Sequence, residues 1–128
     1  MGLDCWVARR PYDPADLTAD EGALFAGLDL PLTEWTARGG LVHFAGKRYL
    51  AVVERVADVC LSEPWIAPAI VAIMAQRFAE ADPRTAVATL NADDSGYRRQ
   101  PLSLEEFAAL RELFETCAAA GLGFANDW

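Results

Sequence analysis

The stretch from Leu102 to Gly121 constrains this chain more than any other, because both of its ends are marked and its apolar residues follow one period. Ser103 and Glu106 have the spacing of a capping box, in which the serine side chain and the N3 glutamate satisfy each other's unpaired backbone N–H groups. Leu102 and Phe107 occupy the flanking staple positions, and Gly121 is suited to the left-handed residue that closes a helix. Between them Phe107, Leu110, Leu113, Phe114 and Cys117 recur every three or four residues. Glu105, Arg111, Glu112 and Glu115 fall largely on the other side. A helix with one such stripe must bury it against something else, so the rest of the chain is read for partners.

Four helices are expected in all. Thr18 and Glu21 repeat the capping-box spacing, and Leu24, Phe25 and Leu28 supply a stripe for a helix from about Ala19 to Leu28. The segment 41–61 reads in two ways. Leu41–Phe44 and Arg48–Val53 suit a hairpin, whereas Tyr49, Val52, Val53, Val56 and Cys60 match a helical period, and the helix from Lys47 to Asp58 is preferred. Pro68 opens a further helix to Ala81, with Ile70, Ile73, Met74 and Phe78 as its buried stripe and Asp82–Pro83 as its stop.

Strand signals are weaker. Leu3–Ala8 places Leu3, Cys5 and Val7 on one face and Asp4, Trp6 and Ala8 on the other, as a short strand or an extended arm. Thr85–Leu90 is a short strand or a frayed helical turn, and 31–40 is a loop or one helical turn. The closing GLGFANDW is too apolar for a free tail and should fold back onto the body. The fold class expected is therefore a mainly α single domain over residues 1–128, about four helices with at most one or two short strands, and α+β as the alternative.

Charge narrows the function classes. Nineteen acidic against eleven basic residues leave a net charge of −8, which argues against a sequence-independent grip on nucleic acid, where Lys and Arg must replace counterions. The most apolar stretch, Trp65–Ala75, is broken by Pro68 and falls short of the roughly 20 residues that span a bilayer, so no membrane partner is expected. Three widely separated cysteines and the lack of a basic-then-apolar leader pattern suit a reducing, cytoplasmic setting.

Motifs that would fix a reaction are missing. Asn91, Asp93, Ser95 and Gly96 match early positions of a calcium-binding loop, but its twelfth position is Leu102 and Arg98 and Arg99 oppose a cation, so an ordinary Asx turn is the better reading. Cys5, His43, Cys60 and Cys117 have the count of a zinc site without its paired spacing. His43 is the sole histidine and lacks the sequence context of a nucleophile triad. No cofactor, metal or catalytic residue is therefore assigned.

Three functional readings remain. Trp6, Trp35, Trp65 and Trp128 lie in loops or at element ends, where aromatic residues serve as interface anchors, with Trp35, Trp65 and Trp128 the leading candidates, so the leading expectation is a non-enzymatic domain binding another protein as an accessory, inhibitory or regulatory factor. The alternative is a small-anion binder or small enzyme for phosphate or carboxylate, using the helix start at Gly46, Lys47 and Arg48 with His43 beside it and Arg98 and Arg99, or Arg9 and Arg10, completing the pocket. A homodimer through the closing helix and the FANDW tail is a third reading.

Overall fold

A computed structural model describes residues 2–11, 15–38, 40–92 and 101–128. In chain order they form β1 (Asp4–Ala8), α1 (Ala19–Ala23), β2 (Trp35–Arg38), β3 (Leu41–Ala45), a 3-10 turn (Lys47–Tyr49), α2 (Leu50–Ala57), β4 (Trp65–Ile66), α3 (Pro68–Glu80), α4 (Pro83–Ala92), α5 (Leu104–Ala120) and β5 (Gly123–Asp127). The strands make one antiparallel sheet in the order β2-β3-β1-β5-β4. The chain is thus α+β, and the mainly helical fold expected from the sequence is corrected. The strands of this sheet are short, and its central pairing joins residues 4–8 to residues 123–127, a contact no local pattern can announce.

Strand alternation explains where the core sits. Cys5 and Val7 of β1, Val42 and Phe44 of β3 and Phe124 of β5 are fully buried, and Ile66 of β4 nearly so. Residues directly opposite one another in an antiparallel pair share a face, and the registers Cys5↔Phe44, Val7↔Phe124 and Ile66↔Phe124 put these side chains on one side. The helices pack there. Phe114 of α5 meets Phe124 edge-on with ring centroids 5.9 Å apart, and Phe78 of α3 stacks on Phe107 of α5 at 5.0 Å.

The closing helix has the ends its sequence promised. Ser103 Oγ accepts from the Glu106 N–H and the Ser103 N–H donates to Glu106 Oε1, each at 3.1 Å. Gly121 takes φ +69° and ends α5. Phe107, Leu110, Leu113, Phe114 and Cys117 are all fully buried. The Thr18–Glu21 capping box also forms, but α1 stops at Ala23, and Leu24 is exposed while Phe25 and Leu28 are buried. In α3 the buried stripe is Val71, Met74, Ala75 and Phe78, so Ile70 and Ile73 face outward, against expectation.

One polar contact crosses the core. Glu106 is fully buried, and both its oxygens are held by Arg48, through Nε to Oε2 and through Nη2 to Oε1 at 2.8 Å. Arg48 Nη2 also donates to the Pro101 carbonyl at 3.1 Å. The Tyr49 hydroxyl, likewise buried, donates to the Pro31 carbonyl at 2.9 Å. One arginine therefore ties the β3–α2 junction to the start of α5. Burial pushes the Glu106 carboxyl up, but the Arg48 guanidinium and the Ser103 N–H outweigh it and hold the carboxyl below its ordinary range.

Breaking a buried pair by removing one partner costs about 3–5 kcal/mol. Glu106→Gln and Arg48→Met should each lower the urea unfolding free energy by about 3 kcal/mol, and the double variant by clearly less than the sum. A carboxyl held low in the folded state stabilises above its unfolded value of about 4.3, and that contribution fades as pH falls through the folded value. Wild type should therefore lose more stability than Glu106→Gln below about pH 4.5, as read from urea midpoints across pH; parallel profiles would contradict the buried pair.

Candidate functional site

The same alternation that builds the core gives the sheet a second face. Thr36↔His43, His43↔Trp6, Trp6↔Ala125 and Ala125↔Trp65 are direct cross-strand partners, so Thr36, His43, Trp6, Ala125 and Trp65 form one row across all five strands. A neighbouring row holds Ala45, Asp4 and Asp127, and on the other side Arg38 lies opposite Leu41 and Ala8 opposite Gly123. Thr36, Arg38, Leu41 and Asp127 are exposed, and Trp6 and Trp65 are half-buried. Ala8, His43, Gly123 and Ala125 on this side, the open face away from the helices, are buried, so its exposure is concentrated at Thr36, Arg38, Leu41 and Asp127, with the two indoles partly covered between them.

Its centre is organised by side chains leaning on one another. The His43 ring lies 4.3 Å from the Trp6 ring between centroids, tilted by 41°, and His43 Nε2 is hydrogen-bonded to Asp4 Oδ1 at 3.0 Å. Trp65 leans over Gly123. A Cβ built on Gly123 would stand 2.9 Å from the Trp65 ring and 2.3 Å from the Ile66 carbonyl oxygen, distances only glycine allows. Ala125, between the two indoles, is 8% exposed. The Asn126 side chain points the other way and ties β5 to the loop before β4, with Nδ2 donating to the Leu61 and Glu63 carbonyls at 2.7 and 3.0 Å.

The sequence-predicted residues separate on this geometry. Trp65 is on the open face. Trp35 is opposite Phe44 and packs over the core from the helical side, while Trp128 follows β5 and is 50% exposed. Trp6 is on the open face as well, where its alternation with Cys5 and Val7 sets it away from the core. Of the leading anion-site residues, Gly46, Lys47 and Arg48 are described. The Gly46 N–H donates to the Leu3 carbonyl at 2.7 Å, Arg48 is engaged by Glu106, and Lys47 is exposed. His43 is on the open face, whereas Arg48 reaches α5. Arg98 and Arg99 lie outside the described residues.

The thiols are equally dispersed. Cys5 and Cys117 are fully buried, and burial pushes both well above the ordinary range, with the Asp4 charge adding to it at Cys5. Cys60 is exposed, its Sγ 3.0 Å from Ser62 Oγ. Among the described residues no three His, Cys, Asp or Glu side chains are grouped to hold a metal ion. Of the calcium-like loop, Asn91, Ala92, Pro101 and Leu102 are described, and the Asn91 amide clasps the Leu102 backbone N–H and carbonyl, each at 3.0 Å. No described helix is long and apolar enough to cross a membrane.

Two shallow depressions lie elsewhere on the described surface. One of about 510 Å³ is lined by Leu24, Glu115, Thr116, Ala119 and Ala120. The other, of about 370 Å³, is lined by Arg55, Val56, Ala81, Asp82, Thr85, Ala86 and Thr89. Neither contains His43 or a cysteine. Comparison of the chain with known protein families, with characterised proteins and with solved structures gave no match in any of the three.

Gly123→Ala tests the packing that shapes the face. The added methyl must push β4 off β5, with a cost of about 1–3 kcal/mol in urea unfolding and a red shift of tryptophan emission as Trp65 is displaced. Wild-type stability together with unchanged emission would contradict the placement of Trp65 over Gly123.

Proposed function

We propose that this protein is a partner-binding domain, acting as an accessory, inhibitory or regulatory factor, and that it holds another protein on the open face of its sheet. The observation that carries this reading is the row of Thr36, His43, Trp6, Ala125 and Trp65 running across all five strands on the side the core does not use. Tryptophan is enriched among the residues that dominate binding energy at protein interfaces, because it covers a large area and loses little side-chain freedom. Two half-buried indoles on a rigid sheet are held in place before the partner arrives, which lowers the ordering cost of association. The small-anion reading has less support. Its guanidinium is engaged by Glu106 and its helix-start N–H by Leu3.

A photoreactive amino acid tests the face directly. Placed at Thr36 or Trp65 and irradiated in an extract of the cells the protein comes from, it should capture one predominant protein, whereas the same group at Gln76 on α3 should not. Trp6→Ala, combined with the group at Thr36, should reduce capture at least about 30-fold in apparent affinity, the equivalent of about 2 kcal/mol. Capture from Gln76 alone, or capture indifferent to Trp6, would move the binding surface elsewhere.

A further inference from the structure

We infer that this chain pairs with a second copy of itself through the outer edge of β2, antiparallel and centred on Thr36, so that two sheets join into one. The ladder shows which backbone groups this edge offers. The Ala45 N–H donates to the Glu34 carbonyl at 3.1 Å, so Glu34 and Ala45 are a hydrogen-bonded pair, and alternation makes Thr36 with His43 and Arg38 with Leu41 the next two. The N–H and C=O groups of Trp35 and Ala37 therefore point away from β3, and among the described residues no hydrogen-bonding group meets them. α1 and the segment after it lie on the helical side of the sheet, where Leu24 shares a depression with Glu115, Thr116, Ala119 and Ala120 of α5, and Phe25, Leu28 and Leu30 are buried. The opposite edge is closed to such pairing. β4 has two residues and is flanked by Pro64 and Pro68, which have no N–H to give.

The side chains select a second copy as the occupant. Glu34, Thr36 and Arg38 are exposed and share the open face. Set antiparallel about Thr36, Glu34 of each copy faces Arg38 of the other, and on the helical side Trp35 faces Ala37, a large side chain against a small one. Trp35 and Ala37 are also the residues whose outward groups then meet and exchange both hydrogen bonds, with Thr36 opposite Thr36 in the non-bonded position between them. Centred instead on Trp35 or Ala37, the strands set each charge opposite an uncharged residue. Within one copy Glu34 and Arg38 stand roughly 13 Å apart by strand rise, too far to pair with each other, and neither has an ion-pair partner among the described residues. The net charge of −8 repels at long range, but salt screens charges more than about 8 Å apart, whereas the facing Glu34 and Arg38 are neighbours. The two-fold axis of such a contact is perpendicular to the sheet. The helices of both copies stay on one side, and the row that ends at Thr36 continues into its copy on the other.

Sedimentation equilibrium of the full chain should show a dimer at about 100 μM that dissociates on dilution. Glu34→Arg and Arg38→Glu each set like charges face to face, and each should weaken self-association at least about tenfold while keeping the wild-type circular dichroism. Mixed together, the two variants should pair with each other, because one copy then offers two basic residues where the other offers two acidic ones. Thr36→Cys in a Cys60→Ser background should form an intermolecular disulfide on mild oxidation, since facing residues at a non-bonded position bring their Cα atoms within disulfide reach. In purified protein without extract, a photoreactive group at Thr36 should capture the second copy and the same group at Trp65 should not, which separates this contact from a partner held on the open face. A chain that stays monomeric at about 100 μM overturns the inference and leaves the β2 edge to an extended segment of another protein. Single variants that dimerise as wild type does, or that fail to pair on mixing, overturn it equally by placing self-association on another surface.

Discussion

The pairing of β1 with β5 is the constraint from which the rest of the structure follows. Asp4–Ala8 and Gly123–Asp127 run antiparallel over their whole lengths, and β5 then accepts β4 on its other side. A central strand in this sheet is therefore its last in sequence. Until it arrives, β1 has an open edge, β4 has nowhere to pair, and the inner face lacks Phe124, which Phe44 and Phe114 both touch edge-on. The open face depends on the same strand, because Ala125 sets the gap between Trp6 and Trp65. Closing a loop of this length before the pairing is rewarded is a slow step in folding.

The Arg48–Glu106 contact gives that assembly a defined geometry. Glu106 serves two elements, capping α5 through Ser103 and receiving the guanidinium of Arg48 from the turn that follows β3. Burying such a pair gains little stability over a well-packed apolar substitute. What it provides is orientation, since a bidentate arginine accepts few alternative placements of the helix start. Tyr49 extends the contact toward Pro31, and burial, aided by the Glu106 charge, pushes its hydroxyl well above the ordinary range, so it stays a neutral donor. The helical side of the sheet is consequently fixed by directional contacts at the base of α5 and by ring packing along its length.

The parts of the fold legible in the sequence are those whose signals are local. Ser103, Glu106 and Gly121 mark α5 within a few residues of its ends, and Thr18 with Glu21 marks the start of α1. Leu3–Ala8 was readable as a strand from its alternation. β3 entered only as Leu41–Phe44 of the less favoured hairpin, and β2 and β5 were not read as strands, for a physical reason. The open face carries Trp6, Ala8, Leu41 and Ala125, so apolar residues occur on both sides of the sheet and the alternation that advertises a half-buried strand is blurred. β2 has only four residues and β4 two. The segment 41–61 held a strand and a helix in succession, which a single-period reading forces into one or the other. For the site, Trp65 was visible as an aromatic at an element boundary, but the row joining it to Trp6 and His43 exists only through registers set by β1, β3 and β5. Arg48 looked like a charge awaiting a ligand because its partner lies 58 residues further along the chain.

An open aromatic row on a sheet otherwise sealed by helices is the central claim, and it is most directly tested by oxidative footprinting of the indoles. Hydroxyl-radical labelling of Trp6 and Trp65 would be compared between the isolated protein and the protein at the same concentration in extract of its own cells, with Ile70 and Ile73 on α3 as internal references. A working face on the sheet requires both indoles to oxidise readily in isolation and to be protected in extract while the α3 references are unchanged. Indoles already inert in isolation, or protection confined to Ile70 and Ile73, would contradict it.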